Sequence, residues 1–527
     1  MADLEDMSCF QCEQTVKPSG CHTMGVCSKN PRIAALQDLI IYGAPLSDAP
    51  IAKIAFWMFT TLTNVNFDEQ KHLNMLTEMA LSITDTDFQR IFAGVQNDQY
   101  AAIRARYSPD ACLKRYGADI GGLRQFGIQG AKGAFAYGDH ALRLAGVLQI
   151  EDSPLLDALE AVKRILNCFC HETATIQQLL EQNLALGAQN LIITQKLDDF
   201  SRKMLGNPKL SSAKNTYRPG KCILVSGHDL ADLKSLIEQC EGKGIDVYTH
   251  GEMLPAHAYP AFSGRLAGNF GTAWYRQQTE FALFPGPILL TSNCIMEPRR
   301  AYIERIYGSG PVAYEGIRTL ENDKWDDLIA HALKCEGFVS QEQCDAAFAQ
   351  MNTLPELTGL GFNHTQFEEL KPAILEKIKS GAIKGFRFVG GCDGADRGRS
   401  VFTRAGMECP DDKIILTGGC GRFRVNNTEH GTIEGVPRLL DVGQCSDVYS
   451  AILILVSLAK ALDAASVNAL PIEFFVSWYE QKANIQLLTL LSLGVQNIKL
   501  GPTAPVALSQ NVAGIFAERY GVSFVRD

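Results

Sequence analysis

Four short apolar segments of this chain each run into small residues and then reach a cysteine. They are residues 288–294, 386–392, 414–420 and 442–445, and they end at Cys294, Cys392, Cys420 and Cys445. An apolar run that stops at glycine or another small residue is typical of a buried strand entering a sharp turn. Buried parallel strands bring their carboxyl ends to one edge of an open α/β sheet, where such folds bind ligands. Four thiols delivered to one crevice therefore indicate a metal centre.

The elements around these segments predict a chain in three parts. Residues 1–217 show helical periodicity with few strand signals, and the pattern over 155–181 predicts a helix. From Lys221 onward, a strand, an amphipathic helix and a second strand follow one another, which favours a parallel sheet. We therefore expect an α+α/β multidomain fold. It has an N-terminal helical domain (1–217) followed by two Rossmann-like α/β domains with parallel sheets (218–355 and 356–527).

Composition narrows the class of protein. The chain has 527 residues, a net charge of −9 and no basic stripe, so we expect no nucleic-acid partner. The acidic N-terminus has no apolar core of a secretory signal, and no apolar run is long enough to span a bilayer. Sixteen cysteines without a secretory signal favour reduced thiols and metal over disulfides. We expect a cytoplasmic protein with no membrane partner.

A second group of thiols lies at the extreme N-terminus. Cys9, Cys12, Cys21 and Cys27 fall within nineteen residues, among glycines that let the backbone turn tightly. Four thiolates at this density can bind zinc or an iron–sulfur cluster. A structural zinc site usually has two close pairs, whereas only the first pair here has the two-residue gap. The spacing therefore favours an iron–sulfur cluster, with zinc as the alternative, and a terminal cluster suits electron input from a donor protein.

Three residues with oxygen or nitrogen donors occupy settings like those of the cysteines. His228 and Glu252 each follow a predicted strand, and Glu480 lies in an aromatic-flanked stretch, 478–483. Each also has an ordinary structural interpretation: a strand-end histidine, a helix-start carboxylate and a carboxylate paired with lysine. None of the three indicates a metal site alone. His228 and Glu252 follow the same strand-end rule as the thiols, whereas the stretch around Glu480 is predicted to be helical.

Seven motifs spread along the chain resemble the hybrid-cluster protein family, also called prismane proteins and described as hydroxylamine reductases. The resemblance covers essentially the whole chain, and its motifs are the N-terminal cysteines and residues 226–229, 249–255, 291–294, 390–394, 418–421 and 478–482.

The resemblance implies two metal clusters. One is a hybrid [4Fe–2O–2S] cluster with a persulfide on Cys392, and its implied protein ligands are His228, Glu252, Cys294, Cys392, Cys420, Cys445 and Glu480. Among these, Glu252, Glu480 and Cys392 are the implied catalytic residues. The N-terminal spacing resembles the branch of the family with a cubane [4Fe–4S] cluster, whereas another branch has longer gaps and a [2Fe–2S] cluster. Soft thiolates suit sulfide-bridged iron, and carboxylate and imidazole suit oxygen-bridged iron.

The function implied by the resemblance is reduction of hydroxylamine to ammonia and water, with a redox protein as electron donor. Reduction of nitric oxide to nitrous oxide is the close alternative, and a redox sensor or S-nitrosylase is another. Carbon monoxide dehydrogenase, whose fold the family resembles, fits less well because its nickel–iron site is richer in thiolate. His250 or Lys482 could supply protons. Cys168, Cys170 and His171 look like a metal motif, but a helical context argues against metal binding there.

Overall fold

A computed structural model describes residues 6–14, 19–396 and 398–526. Its first part is helical, because long stretches carry apolar residues at helical spacing and have capping residues at their ends. The helices are α1 (Pro31–Gly43), α2 (Ile51–Thr60), α3 (Glu69–Ala80), α4 (Thr86–Val95), α5 (Ala101–Tyr107), α6 (Pro109–Leu148), α7 (Ser153–His171) and α8 (Ile176–Leu205). None of the helices in these ranges is long and apolar enough to cross a membrane.

The second part contains a six-stranded parallel sheet. Its elements, with a short preceding strand, are β1 (Ser211–Lys214), β2 (Lys221–Ser226), α9 (Leu230–Cys240), β3 (Ile245–His250), β4 (Gly268–Asn269), α10 (Gln277–Leu283), β5 (Ile288–Leu290), β6 (Ile306–Gly308), β7 (Arg318–Thr319), α11 (Asp326–Lys334) and α12 (Gln341–Phe348). The strand order is β4-β3-β2-β5-β6-β7. Strand β2 is buried along almost its whole length, as expected for a central strand covered on both faces.

The third part repeats this architecture. Its elements are β8 (Glu356–Leu360), α13 (His364–Lys379), β9 (Gly385–Gly390), α14 (Val401–Met407), β10 (Lys413–Thr417), β11 (Thr432–Ile433), β12 (Val436–Pro437), β13 (Leu439–Asp441), α15 (Val448–Ala461), β14 (Ile472–Ser477), α16 (Gln481–Ser492), β15 (Ile498–Gly501), α17 (Gln510–Tyr520) and β16 (Ser523–Phe524). Six of its strands form a second parallel sheet in the order β13-β10-β9-β14-β15-β16. Strand β8 instead pairs antiparallel with β1 and links the second and third parts.

Helix α16 packs directly on the helical part. A Cβ atom placed on Gly133 of α6 would lie 2.2 Å from the carbonyl oxygen of Gln481, and one on Gly187 of α8 would lie 2.2 Å from that of Leu488. Only glycine permits so close an approach of helix to helix. The start of α16 is therefore fixed by backbone contact with the first part of the chain.

The predicted helical part and two parallel-sheet parts are confirmed. The prediction of one helix over 155–181 is wrong, because α7 ends at His171 and α8 begins at Ile176. Thr175 caps α8, and its side chain and that of Gln178 satisfy each other's backbone N–H groups. The proposed domain limits at 217/218 and 355/356 stay predictions, and β1 pairs with β8 next to both.

Candidate metal centres

Seven of the predicted ligands follow the carboxyl ends of seven strands. In the second sheet, Cys445, Cys420, Cys392 and Glu480 come after β13, β10, β9 and β14, which are four adjacent strands. In the first sheet, Glu252, His228 and Cys294 come after β3, β2 and β5, which are also adjacent. Parallel strands in neighbouring positions deliver the residues that follow them to one edge. The two sheets thus present their ligand-bearing edges to a common space.

Glu252 lies at the centre of this space. Its Oε2 is 3.1 Å from Nε2 of His228 and accepts a hydrogen bond from the backbone N–H of Cys445 at 2.9 Å. Its Oε1 lies 3.2 Å from Sγ of Cys420. One donor atom each from His228, Glu252 and Cys445 lies within 4.8 Å of the other two, a spacing suited to a shared metal. Residues from both sheets therefore meet at this carboxylate.

The charges of this group follow from its burial. Burial favours the neutral acid of Glu252 and so acts to raise its pKa. The contacts with His228 and with the backbone N–H of Cys445 outweigh burial and hold the Glu252 pKa well below its usual range. Burial lowers the pKa of His228, so its imidazole is neutral at pH 7. Nδ1 of His228 shares a hydrogen bond with the Ser292 hydroxyl at 2.7 Å. This contact orients the ring with Nε2 toward Glu252, as outer partners of metal-binding histidines do.

The sulfur of Cys392 accepts hydrogen bonds from its own loop, after β9, and from the loop after β10. Its Sγ accepts from the guanidinium of Arg424 at 3.2 Å and from the backbone N–H of Gly394 at 3.4 Å. The Arg424 guanidinium also lies over the ring of Tyr275, 3.8 Å from its centroid. Charge-assisted donors favour an anionic sulfur. The structure therefore surrounds this cysteine with partners for a thiolate.

Cys294 and Glu480 complete the set from opposite sheets. Cys294 has a φ of +88°, a backbone conformation that non-glycine residues rarely adopt and that recurs at functional sites. Glu480 caps the start of α16, where its Oε2 accepts from the N–H of Lys482 at 3.0 Å. Burial is the largest cause that raises the pKa of Glu480, and the negative charge of Glu252 raises it further. Glu480 thus also follows a strand, β14, which its aromatic setting in the sequence did not indicate.

The space between these residues is a cavity of about 90 Å³. Its lining includes all four thiols and both carboxylates, together with apolar residues such as Trp274, Phe388 and Val476. Burial raises the pKa of Cys294, Cys420 and Cys445 well above that of a free thiol. Such thiols ionise only when a cation binds them, because metal binding displaces their protons. The donor set therefore fits a cluster of cations with mixed sulfur and oxygen ligands.

The N-terminal cysteines form a separate site, the N-terminal thiol loop (Cys9, Cys12, Cys21 and Cys27). Cys9 and Cys21 pair through two backbone hydrogen bonds of 3.1 and 2.8 Å. Burial, followed by the charges of Cys27 and Cys9, raises the pKa of Cys12. The thiols of this loop are therefore near enough for the charge of one to affect the ionisation of another. Of the intervening residues, 15–18 lie outside those the structure describes.

Two fully buried lysines lie beside this loop. Nζ of Lys29 is 4.0 Å from Sγ of Cys9 and donates to Gln37 Oε1 at 2.5 Å. Burial alone would lower the pKa of Lys29, but the thiols of Cys9, Cys27 and Cys12 raise it above its ordinary value. Lys132 donates to Gln11, and burial lowers its pKa to about 7. The loop therefore has a buried lysine next to its sulfur atoms, and negative charge on those sulfur atoms favours its charged form.

Direct hydrogen bonds join the loop to the cavity. The backbone N–H of Glu13 donates to the carbonyl of Tyr479 at 2.9 Å. The amide of Gln481 donates to the carbonyl of Gln11 at 2.5 Å and to Thr63 at 3.1 Å. Tyr479 and Gln481 flank Glu480 in sequence. The residue that closes the cavity is thus held from both sides by the N-terminal segment.

One of the two predicted proton donors has other partners. His250 bonds to Glu280 at 3.0 Å and to Ser226 at 2.9 Å. It does not lie among the residues that line the cavity. Lys482, by contrast, donates to Asn293 at 2.8 Å, which does line it. Lys482 is therefore the better placed of the two predicted proton donors.

Sequence reasoning missed the residues that orient the ligands. Arg424 and Ser292 contact ligands directly, and Gln444 donates to the carbonyls of His228 and Glu252 at 3.0 and 2.8 Å. Each lies within four residues of a predicted ligand in the sequence. Proximity to a ligand was the only signal, because their hydrogen-bond partners come from other strand ends.

Comparison with known proteins gives a consistent result. The family described as Prismane/CO dehydrogenase matches residues 7–524. A hydroxylamine reductase of Burkholderia lata is 39% identical, with 99% of this chain and 98% of that protein covered. A hydroxylamine reductase of Acidiphilium cryptum is 37% identical, with 98% and 96% covered.

Solved structures are similar in fold. A nickel-free carbon monoxide dehydrogenase from Thermococcus sp. AM4 has a TM-score of 0.54 at 17% identity, covering 99% of this chain and 88% of that one. The alpha subunit of an acetyl-CoA synthase/carbon monoxide dehydrogenase, with NiZn[Fe4S4] and NiNi[Fe4S4] clusters, has a TM-score of 0.58 at 13% identity, covering 99% and 85%. The expected fold class is confirmed.

Proposed function

We propose that this chain, which belongs to the Prismane/CO dehydrogenase family, reduces hydroxylamine to ammonia and water. The observation that carries the proposal is the convergence of four thiols and two carboxylates from two sheets on a single cavity, with the imidazole of His228 3.1 Å from the carboxylate of Glu252. A set of four thiolates alone would suit an ordinary iron–sulfur cluster. The oxygen and nitrogen donors suit harder, oxygen-bridged iron beside the sulfide-bridged part. The relatives named hydroxylamine reductases support the substrate.

In this proposal, the cavity residues hold a hybrid [4Fe–2O–2S] cluster. Its ligands are His228, Glu252, Cys294, Cys392, Cys420, Cys445 and Glu480, with a persulfide on Cys392. When bound, the cluster supplies a Lewis acid and a store of electrons. Glu252, Glu480 and Cys392 are the proposed catalytic residues, because carboxylates can change their mode of binding and Arg424 stabilises an anionic sulfur on Cys392.

The reaction consumes two electrons and two protons: NH2OH + 2 H⁺ + 2 e⁻ gives NH3 + H2O. The N–O bond breaks, nitrogen is reduced, and the oxygen leaves as water. The apolar lining keeps bulk water away from the reacting atoms, and the amide of Asn293, which is bonded to Lys482, offers a polar contact to a small substrate. Proton transfer to the leaving oxygen is assigned to the ammonium of Lys482 itself, which its hydrogen bond to Asn293 holds at the cavity wall.

Electrons are proposed to enter through a [4Fe–4S] cluster at the N-terminal thiol loop. Three of its cysteines are partly exposed, and the fourth, Cys12, is buried toward the interior. The hydrogen bonds from Glu13 and Gln481 connect this loop to the residues around Glu480. A centre at the surface, linked to a buried one, suits the passage of electrons from an external redox protein.

Reduction of nitric oxide to nitrous oxide is the second candidate. The specific observation in its favour is the apolar lining of the cavity, which includes Phe388, Val448 and Leu490 and would admit a small uncharged gas. Both reactions need the same cluster and the same electrons. They differ in product, so the two are separated by assaying ammonia and nitrous oxide from the same reduced protein.

The test uses anaerobically purified protein and counts ammonia formed per reduced enzyme. We expect Glu252→Ala and Glu480→Ala to abolish hydroxylamine reduction while the spectrum of the N-terminal cluster survives. Glu473→Ala is the matched control, because Glu473 lies on β14 and bonds to Arg387 away from the cavity. Full ammonia yield from Glu252→Ala with an altered cavity spectrum would place the chemistry elsewhere.

A further inference from the structure

The N-terminal thiol loop has an exposed apolar tip. Met24 and Val26 are 59% and 49% exposed, and they lie between the half-buried Cys21 and Cys27. Exposed methionine and valine next to the cysteines of the proposed electron-entry site would cost free energy in water with no gain in the isolated protein. Contact with a partner would remove this cost.

A groove opens at His22, two residues before Met24 in the same loop. Its volume is about 780 Å³, and it runs from His22 on the loop to the start of α6. Its positive side chains are Arg104, Lys114 and Arg115, and its negative ones are Asp6 and Asp110. Among its described lining residues, the groove therefore has one more positive than negative side chain, on a chain whose net charge is −9.

The positive charges of the groove are available to a partner. Within the described ranges, Lys114 and Arg115 form no ion pair, and both are exposed on α6. Arg104 donates to the backbone carbonyl of Asp6 at 3.3 Å rather than to a carboxylate. Asp110 faces His22 at 4.0 Å. The rim of the groove on α6 is thus basic, while the exposed Asp6 and the partly exposed Asp110 line the same groove.

We propose that this face, formed by Met24, Val26, Arg104, Lys114 and Arg115, docks a small acidic protein that carries one electron at a time. The inference rests on the proposed entry of electrons through the N-terminal loop, and it adds the class of donor. Apolar contact at the tip brings the two redox centres together, and the basic rim attracts carboxylates around the donor's own centre. Each encounter oxidises the carrier by one electron and reduces the loop centre by one, so two encounters supply the two electrons of hydroxylamine reduction.

Charge complementarity of this kind acts mainly on the rate of encounter. Attraction between opposite patches raises association rates by factors of about 10 to 1,000 at low salt, and added salt removes the effect. The acidic remainder of the chain would repel an acidic carrier at other faces. The groove is therefore where such a carrier would approach the loop fastest.

The experiment follows reduction of the N-terminal cluster by absorbance after rapid mixing with a pre-reduced acidic [2Fe–2S] ferredoxin. We expect Lys114→Glu and Arg115→Glu each to lower the second-order rate constant about tenfold at low salt, with the difference vanishing at high salt. Lys460→Glu is the matched control, since Lys460 is exposed on α15, remote in sequence from the loop. Reduction by methyl viologen, which needs no docking surface, should be equal in all variants.

The outcomes distinguish this inference from the function it rests on. If viologen reduces the loop cluster normally and Lys114→Glu and Arg115→Glu leave the ferredoxin rate unchanged, the docking surface is wrong and electron input at the loop stands. If viologen cannot reduce a cluster at the loop in the unaltered protein, the electron-input proposal fails and this inference fails with it. Met24→Ser, which keeps the charges, should weaken ferredoxin binding at high salt, where only apolar contact remains.

Discussion

The N-terminal thiol loop and the cavity both gather four thiols, but they do so in opposite ways. The loop takes its cysteines from residues 9–27, and among its described residues Cys9 and Cys21 form an isolated β-bridge. The cavity takes its donors from residues 228–480, each placed by a strand of a hydrogen-bonded sheet. A site made from one short segment depends on its metal for shape, as small metal-bound loops do. A site made from strand ends is shaped by the fold before any metal binds.

The two sites also differ in their charged neighbours. The loop has the ammonium of Lys29 near Cys9, whereas the cavity has the guanidinium of Arg424 on Cys392 and the ammonium of Lys482 beyond Asn293. A positive charge close to a cluster stabilises its reduced state. Each site therefore has its own nearby positive charges, so the reduction potentials of the two proposed clusters can be changed separately.

The largest expected effect comes from removing one thiol from each site. If each site holds the proposed cluster of about four irons, Cys12→Ser should lose the iron and spectrum of the loop and keep those of the cavity. Cys392→Ser should do the reverse, losing or rearranging the cavity cluster. Iron content and electron paramagnetic resonance of anaerobic preparations measure both. Loss of both clusters from Cys12→Ser would contradict the separation, and the bonds from Glu13 and Gln481 would be the physical reason.

The next effect concerns the contact that fixes α16 and therefore Glu480. Gly133→Ala places a methyl group against the carbonyl of Gln481, 2.2 Å away, and overpacking of this kind costs about 1–3 kcal/mol. We expect a lower free energy of unfolding and weaker iron retention at the cavity than at the loop. Chemical denaturation and iron analysis measure the two effects.

Gly146→Ala is the control for this substitution. Gly146 lies on the same helix, is exposed, and has no atom within 4 Å of the added methyl group. Alanine should stabilise the helix there by about 0.5–1 kcal/mol. Equal destabilisation by both variants would mean that α6 tolerates no substitution and that the contact with α16 is not special.

The contrast between the sites also explains what the sequence predicted. Strand-end placement is visible in a sequence, because an apolar run that meets small residues has few other interpretations, and Cys392, Cys420 and Cys445 all follow it. The N-terminal motif is visible because its ligands are neighbours in sequence. The two parallel sheets followed from the same patterns.

What the sequence did not predict depends on long-range pairing. The contact of Arg424 with Cys392 requires β9 and β10 to be neighbours, and that of Ser292 with His228 requires β2 and β5 to be neighbours. Strand order is fixed by packing over the whole sheet rather than by local pattern. The break between α7 and α8 was missed because Thr175 and Gln178 signal a capping box only when a helix start is already suspected.

A smaller effect is expected from the buried charge beside the loop. Lys29→Met removes a positive charge 4.0 Å from Cys9. Two unit charges at about 4 Å interact by about 4 kcal/mol at an effective dielectric constant of 20. We expect the ratio of reduced to oxidised loop cluster at a fixed potential to fall at least about tenfold, which is about 59 mV for one electron. A redox titration followed by electron paramagnetic resonance measures it, and an unchanged potential would show that Lys29 is structural.

The smallest effect is expected where a metal-like motif lies away from both sites. Cys168, Cys170 and His171 end α7, and Nε2 of His171 bonds to the carbonyl of Tyr42 at 2.8 Å. Residues two apart on a helix point to different faces, so the three side chains cannot converge on one ion. His171→Ala should leave iron content, spectra and ammonia yield nearly unchanged, while the lost hydrogen bond lowers the free energy of unfolding by about 1 kcal/mol. If His171→Ala removed iron, the residues at the end of α7 would be a metal site. Placement at the end of a strand would then no longer distinguish the metal ligands of the cavity from the other cysteines and histidines of the chain.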